Sequence, residues 1–148
     1  MDVQHEIRQQ FRNQQEKLTY YIIGLDVAAI GFAVHRTSDM ALSISQIPLG
    51  IALLCWGISI IYGFSSLKFV LGALASNHEF FEVQKGKHPD VGSHPERIKA
   101  ATDGIKSAME RNSNRAEKFF NSQNIYFEWG ILFFIIWHVY EMYLNSLN

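Results

Sequence analysis

The sequence predicts an all-α integral membrane bundle with three transmembrane helices and cytoplasmic helical extensions that form a hairpin. Charged residues make up only 18% of the 148-residue chain, below the roughly 25% of soluble globular domains. They gather at the N-terminus and between Lys68 and Lys118, so long apolar runs alternate with polar blocks. Residues 48–67 carry no charge and no polar stripe, whereas a core helix of a soluble bundle, the alternative interpretation, has one polar face.

Six segments follow from this alternation. The first has no Gly or Pro, and its apolar residues recur mainly at every fourth position, which indicates an amphipathic helix that runs into the next segment. The apolar runs have the ~17–25 residues that cross a bilayer as a helix. The segments are a cytoplasmic amphipathic helix (1–17), a first transmembrane helix (18–35), a short outer loop (36–47), a second transmembrane helix (48–67), a cytoplasmic helical hairpin (68–124, with its turn at 84–95) and a third transmembrane helix (125–146).

The distribution of Lys and Arg predicts the orientation. There are three before the first apolar run, one between the first two runs, nine from Lys68 to Lys118 and none after Leu144. Because cytoplasmic segments collect Lys and Arg, we expect a cytoplasmic N-terminus and hairpin and an external C-terminus. A plasma membrane, the inner membrane of a bacterium, is the expected location.

The stretch QKGKHPDVGSHPERIKAA, residues 84–101, permits three interpretations. His88, Asp90, His94 and Glu96 could ligate a metal, but their spacing matches no zinc pattern and no Cys is near. The tripeptide His88-Pro89-Asp90 resembles the signature of J-domain co-chaperones, although the preceding helix is acidic where that family's is basic. We favour the third interpretation, a structural corner in which glycines and prolines make the turn, Ser93 caps the next helix and Pro95 lies in its first turn.

Polar residues inside the apolar runs are the candidate functional residues. Asp26 is predicted near mid-bilayer, where a carboxylate costs about 2.5–3.5 kcal/mol and therefore faces a bundle interior or a water-filled path. A protonated structural link and a role in ion or proton passage both remain open for it. Interfacial pairing is expected for the residues near the ends of the third run. The candidates are Asp26, Ser59, Tyr62, Glu128, His138 and Glu141.

Small residues predict where helices pack closely. Gly24, Ala28 and Gly31 share one face of the first predicted span, and Ala52, Gly63, Ser59 and Ser66 share one face of the second. Three spans are few to cover both faces and to satisfy Asp26 within one copy. We therefore expect self-association.

Several function classes receive no support. The formal net charge of −1 gives no basic footprint for nucleic acid. No catalytic or cofactor motif occurs, so we expect neither an enzyme nor a cofactor or metal, and Cys55 is expected to be a core residue. The architecture is similar to small membrane effectors of bacterial defence systems and to holin-like proteins, which is a fold-level analogy. It implies a homo-oligomeric pore-forming or membrane-perturbing effector; the alternative is a non-conducting scaffold whose hairpin docks a cytoplasmic protein.

Overall fold

The computed structural model describes residues 3–38, 40, 43–86, 88–89, 91–92 and 94–146. Three long helices account for most of them: α1 (Val3–Thr37), α2 (Ile47–Gln84, preceded by a 3₁₀ turn at Ile44–Gln46) and α3 (Pro95–Ser146). Of the described residues 92% are helical, and they form no strand. The prediction of an all-α fold is confirmed.

Proline and glycine set the ends of α2. Pro48 is the second residue of the helix, where an N–H would have no helical acceptor, so its absence costs nothing. At the other end Gly86 has φ 64°, and its N–H is donated to the Val83 carbonyl over 3.0 Å. A left-handed residue after the last turn is a common helix stop, and glycine adopts it without a Cβ penalty.

The turn before α3 also depends on a left-handed glycine. Gly92 has φ 64°, and its N–H is donated to the His88 carbonyl over 3.1 Å. α3 then begins at Pro95, and the His94 carbonyl accepts the Ile98 N–H over 3.0 Å, so His94 occupies the N-cap position. Ser93, which was expected to cap this helix, lies outside the described residues.

The chain divides into two compact units. Unit 1 consists of Met1–Phe64 and Phe120–Asn148, and unit 2 of Ser65–Phe119. Unit 1 therefore contains α1 with residues 47–64 of α2 and 120–146 of α3. Unit 2 contains the remainder of α2 and α3.

The helices of unit 1 bury residues at alternating spacings of three and four, the 3.5-residue period of coiled-coil packing. On α3 the buried positions Gln123, Gly130 and Trp137 are seven residues apart. The buried residues on α1 are Thr19, Ile22, Asp26 and Ala33, and those on α2 are Leu49, Ala52, Trp56, Ser59 and Gly63. Most of these residues are small or polar, so the apolar cluster of Ala33, Leu49, Ala52, Trp56 and Trp137 fills only part of the interior.

Unit 2 is a two-helix arrangement held by rings and one buried hydroxyl. Phe69 stacks on Phe119 with 5.3 Å between ring centroids, and the Arg115 guanidinium lies 5.5 Å from the Phe69 centroid. The buried Ser66 hydroxyl donates to the Ala116 carbonyl over 2.9 Å. Aromatic and cation–π contacts at these distances each contribute on the order of 0.5–1 kcal/mol.

Two helices are long and apolar enough to cross a membrane, within Gln10–Thr37 and Ile44–Gln84. Residues 125–146 do not reach the same mean hydropathy, because Tyr, Trp, His and Glu interrupt their apolar run. A third span and insertion into a membrane stay predictions.

Candidate functional site

Four polar side chains lie fully inside unit 1. Thr19, Asp26, Ser59 and Gln123 are each 0–1% exposed. We call these four residues the polar core. Buried polar groups are costly unless they are hydrogen-bonded, so the partners of each group decide what the polar core can do.

Asp26 on α1 is the group with the fewest partners. Its side chain is 0% exposed, and neither carboxylate oxygen has a hydrogen-bond partner among the described residues. The Ser59 hydroxyl on α2 is close enough to the carboxyl group to interact with it, but its hydrogen bond of ordinary geometry goes to the Gln123 carbonyl over 3.2 Å. The sequence placed Ser59 at the depth of Asp26. The structure brings the two side chains together, without a hydrogen bond of ordinary geometry between them.

Gln123 links α3 to both other helices. Its side-chain nitrogen Nε2 donates to the Thr19 carbonyl on α1 over 3.3 Å, and its backbone carbonyl accepts the Ser59 hydroxyl of α2. Its oxygen Oε1 is buried without a partner. Gly63 provides the space: a Cβ at that position would lie 2.6 Å from Gln123 Nε2.

Thr19 satisfies its hydroxyl within its own helix. Thr19 Oγ1 donates to the Gln15 carbonyl one turn earlier, over 2.9 Å. Such back-bonding is the usual way for a hydroxyl to avoid an unpaired state in an apolar helix. In the polar core the unpaired groups are therefore the Asp26 carboxyl group and Gln123 Oε1.

The remaining sequence candidates do not join the polar core. The Tyr62 ring stacks on Tyr126 at 5.4 Å. Glu128 is exposed, and the described residues of unit 1 give it no ion pair. Glu141 Oε1 accepts the Ser45 hydroxyl over 2.7 Å. His138, which like Glu141 was expected near the end of the third apolar run, is exposed and lines a cavity together with Arg36.

The predicted packing residues separate into two sets. Ala52 and Gly63 are buried within unit 1, on the face of α2 that the small residues predicted. Gly24, Ala28 and Gly31 are exposed on α1, and a Cβ built at Gly24 or Gly31 would meet nothing within 4 Å. This α1 face points away from the polar core, and none of the described helices of unit 1 packs on it.

The surface of unit 1 is apolar along much of the helices that enclose the polar core. Leu25 and Val27 flank Asp26 along α1 and are 55% and 57% exposed. The residues Phe32, Leu54, Ile61, Phe64, Ile135, Ile136 and Val139 are likewise exposed. Large exposed apolar areas occur on surfaces that contact a membrane or another protein, so this surface is a candidate for either contact.

Gln123 and the contact between Gly130 and Trp56 were not among the sequence candidates. A Cβ at Gly130 would overlap the Trp56 indole, so this glycine allows α3 to approach α2. A signal was present: Gln123, Gly130 and Trp137 repeat at seven residues. Large apolar residues surround Gly130 and Trp137, whereas polar residues flank Gln123, so the repeat became informative only once the buried face was known.

The comparisons with known proteins give no family. No protein-family model matches the chain, and neither a curated protein nor a solved structure matches it.

Proposed function

We propose that this chain is an integral membrane protein that self-associates into a pore or membrane-perturbing assembly, with Asp26 as the group that carries or gates the passing charge. The observation that carries the proposal is the buried, unpaired carboxyl group of Asp26 beside Ser59. Keeping such a group uncompensated lowers stability, and ionisable groups inside a membrane commonly mark ion pathways and proton relays.

The apolar exterior supports placement in a bilayer. Two helices are long enough to span it, and the residues that surround the polar core expose large apolar side chains. In lipid these side chains are solvated by acyl chains. The backbone groups of the long helices are paired along each helix, which a bilayer requires.

The exposed small face of α1 supports self-association. Gly24, Ala28 and Gly31 form the small-xxx-small pattern that lets transmembrane helices approach closely. Because no described residue lies within 4 Å of a Cβ built at Gly24 or Gly31, a second copy is the natural occupant. The polar core lies on the opposite side of α1, inside each copy, so the described arrangement corresponds to a closed state. Passage requires α1 to move relative to α2 at the level of Asp26.

The orientation belongs to the same proposal: the N-terminus and the hairpin are cytoplasmic, the C-terminus is external, and residues 125–146 form the third span. Reporter fusions test it. Alkaline phosphatase fused after Asn148 should be active, and the same enzyme inserted at Gly86 should be inactive. The reverse result would overturn the orientation.

Flux measurements test the function. The purified chain is reconstituted into liposomes that contain a pH-sensitive or cation-sensitive dye, and flux is compared among wild type, Asp26→Asn and the control Asp103→Asn. Asp103 is an exposed acid in unit 2, so this control makes the same chemical change outside the polar core. We expect flux to fall with Asp26→Asn alone while the oligomer size stays constant. Unchanged flux in both Asp26→Asn and Asp26→Leu would remove Asp26 from the mechanism.

A scaffold is the second candidate, favoured by one feature of unit 2. Leu71, Leu74 and Phe81 on α2 are 65%, 52% and 49% exposed and lie on one helix face, because they are spaced by three and seven residues. This stripe could dock a soluble partner of the cytoplasmic side. A chain that is monomeric when purified and conducts nothing would favour the scaffold over the pore.

A further inference from the structure

A cavity of about 190 Å³ lies in unit 1 near the C-terminal end of α1. Its lining consists of Phe32 and Arg36 from α1 and Phe134, Trp137 and His138 from α3. The cavity is separate from the polar core, since none of its lining residues belongs to that group. Three aromatic side chains, one guanidinium group and one imidazole thus surround the cavity.

The ring contacts hold these side chains in place. The His138 imidazole is parallel to the Phe134 ring, at 3° and 6.5 Å between centroids. Phe32 meets Phe134 edge-on at 6.3 Å. The imidazole is therefore positioned by stacking, and Arg36 is exposed beside it.

The described groups that line the cavity are positive or neutral. None of them is a carboxylate, and the nearby acid on α3, Glu141, contacts the Ser45 hydroxyl instead. Two carbonyls at the C-terminal end of α1 accept hydroxyl groups, since Thr37 Oγ1 donates to Ala33 over 2.9 Å and Ser38 Oγ to His35 over 3.0 Å. These bonds weaken the negative end of the helix dipole without cancelling it, so the positive charge of Arg36 has to outweigh the remainder. A guanidinium group next to aromatic side chains suits a phosphate that carries an apolar group.

We propose that this cavity binds the phosphate group of an anionic phospholipid. Arg36 binds the phosphate oxygens, His138 donates an N–H to them, and Phe32 and Phe134 contact the first acyl carbons. This inference rests on the membrane placement proposed above, because Arg36 ends the candidate span Gln10–Thr37, which is the depth at which lipid phosphates lie. It does not depend on conduction. A free phosphate ion would leave the aromatic walls without a contact, so we commit to the lipid.

Lipid binding is tested on the full chain in detergent by native mass spectrometry, with phosphatidylglycerol, phosphatidylcholine and inorganic phosphate as probes. We expect one phosphatidylglycerol per chain, held at least about tenfold more tightly than phosphatidylcholine, since a charge-assisted contact to a net anion distinguishes them. Arg36→Gln should remove this preference. Arg97→Gln, which changes an exposed arginine of unit 2, should leave it intact.

Each contrary result overturns the proposal. Equal binding of the two lipids, or an unchanged preference in Arg36→Gln, excludes the site; displacement of phosphatidylglycerol by millimolar inorganic phosphate shows a free-anion site instead.

Quenching of tryptophan fluorescence by brominated phosphatidylglycerol gives an independent readout. Brominated phosphatidylglycerol should quench more than brominated phosphatidylcholine, and this difference should fall in Trp137→Phe. Flotation with vesicles distinguishes a failure of the membrane placement from a failure of the lipid site. A chain that does not float contradicts the membrane placement itself, whereas one that floats without lipid preference contradicts only the site.

Discussion

The Ser59 hydroxyl on α2 donates to the backbone carbonyl of Gln123 on α3 over 3.2 Å, which joins two helices through a side chain that is 0% exposed. The carbonyl already belongs to the α3 ladder, so the serine adds a second donor to it. This contact lies beside Asp26. The strength of this hydrogen bond therefore contributes to the stability of the polar core.

Ser59→Ala should lower the free energy of unfolding by about 0.6 kcal/mol, the mean for side-chain hydrogen bonds between membrane helices, with an upper value near 1.7 kcal/mol. Ser76→Ala is the matched control, because the Ser76 hydroxyl donates within its own helix, to the Gly72 carbonyl over 3.0 Å. Denaturant titration in mixed micelles measures both. Equal changes in the two variants would show that the bond between α2 and α3 contributes nothing.

Gly130→Ala should destabilise unit 1 by about 1–3 kcal/mol, the usual range for adding a methyl group to a filled interior. The new Cβ would overlap the Trp56 indole, a rigid ring that is itself buried. Gly104→Ala in the same helix is the control, since a Cβ there meets nothing within 4 Å and alanine is the better helix former by about 1 kcal/mol. The two variants should change the thermal midpoint in opposite directions. A Gly130→Ala chain as stable as wild type would mean that α2 and α3 separate easily at this level.

The sequence was sufficient for the helices but not for the faces they bury. The apolar runs, the turn glycines and Pro95 predict all three helices, because each of these signals is local. Burial is different: when large apolar residues occupy every side of a helix, the pattern does not distinguish a lipid-facing surface from an interior. Asp26 was found because a carboxyl group in an apolar run is conspicuous by itself. Gln123 was missed because it lies at the border between the charged segment and the apolar run.

Replacing both His88 and His94 by Ala should leave the fold and the unfolding midpoint nearly unchanged. The contacts that the described residues show are made by backbone groups, with Gly86 and Gly92 at φ 64° and the His94 carbonyl accepting the Ile98 N–H. None of these contacts needs an imidazole. Circular dichroism and elemental analysis of the purified chain check this. Among the described residues no three potential ligands cluster, but Asp90 lies outside them. Stoichiometric zinc that disappears in the double variant would therefore contradict the structural interpretation of this corner.

Replacing Asp26 distinguishes a conducting carboxyl group from a structural one. Asp26→Leu removes a buried group whose oxygens have no partner, so it should raise the stability of the membrane-inserted chain, by at most the insertion penalty of about 2.5–3.5 kcal/mol. Asp26→Asn keeps the size and the polarity and should change stability little, since membrane hydrogen bonds average about 0.6 kcal/mol. Asp103→Leu, at an exposed site of unit 2, controls for the general effect of losing an acid. If stability rises in Asp26→Leu while flux is lost in both Asp26 variants, the carboxyl group is retained for conduction at a cost in stability. If Asp26→Leu unfolds the chain, the carboxyl group is stabilised by its neighbours inside the same copy, of which the Ser59 hydroxyl is the first to test.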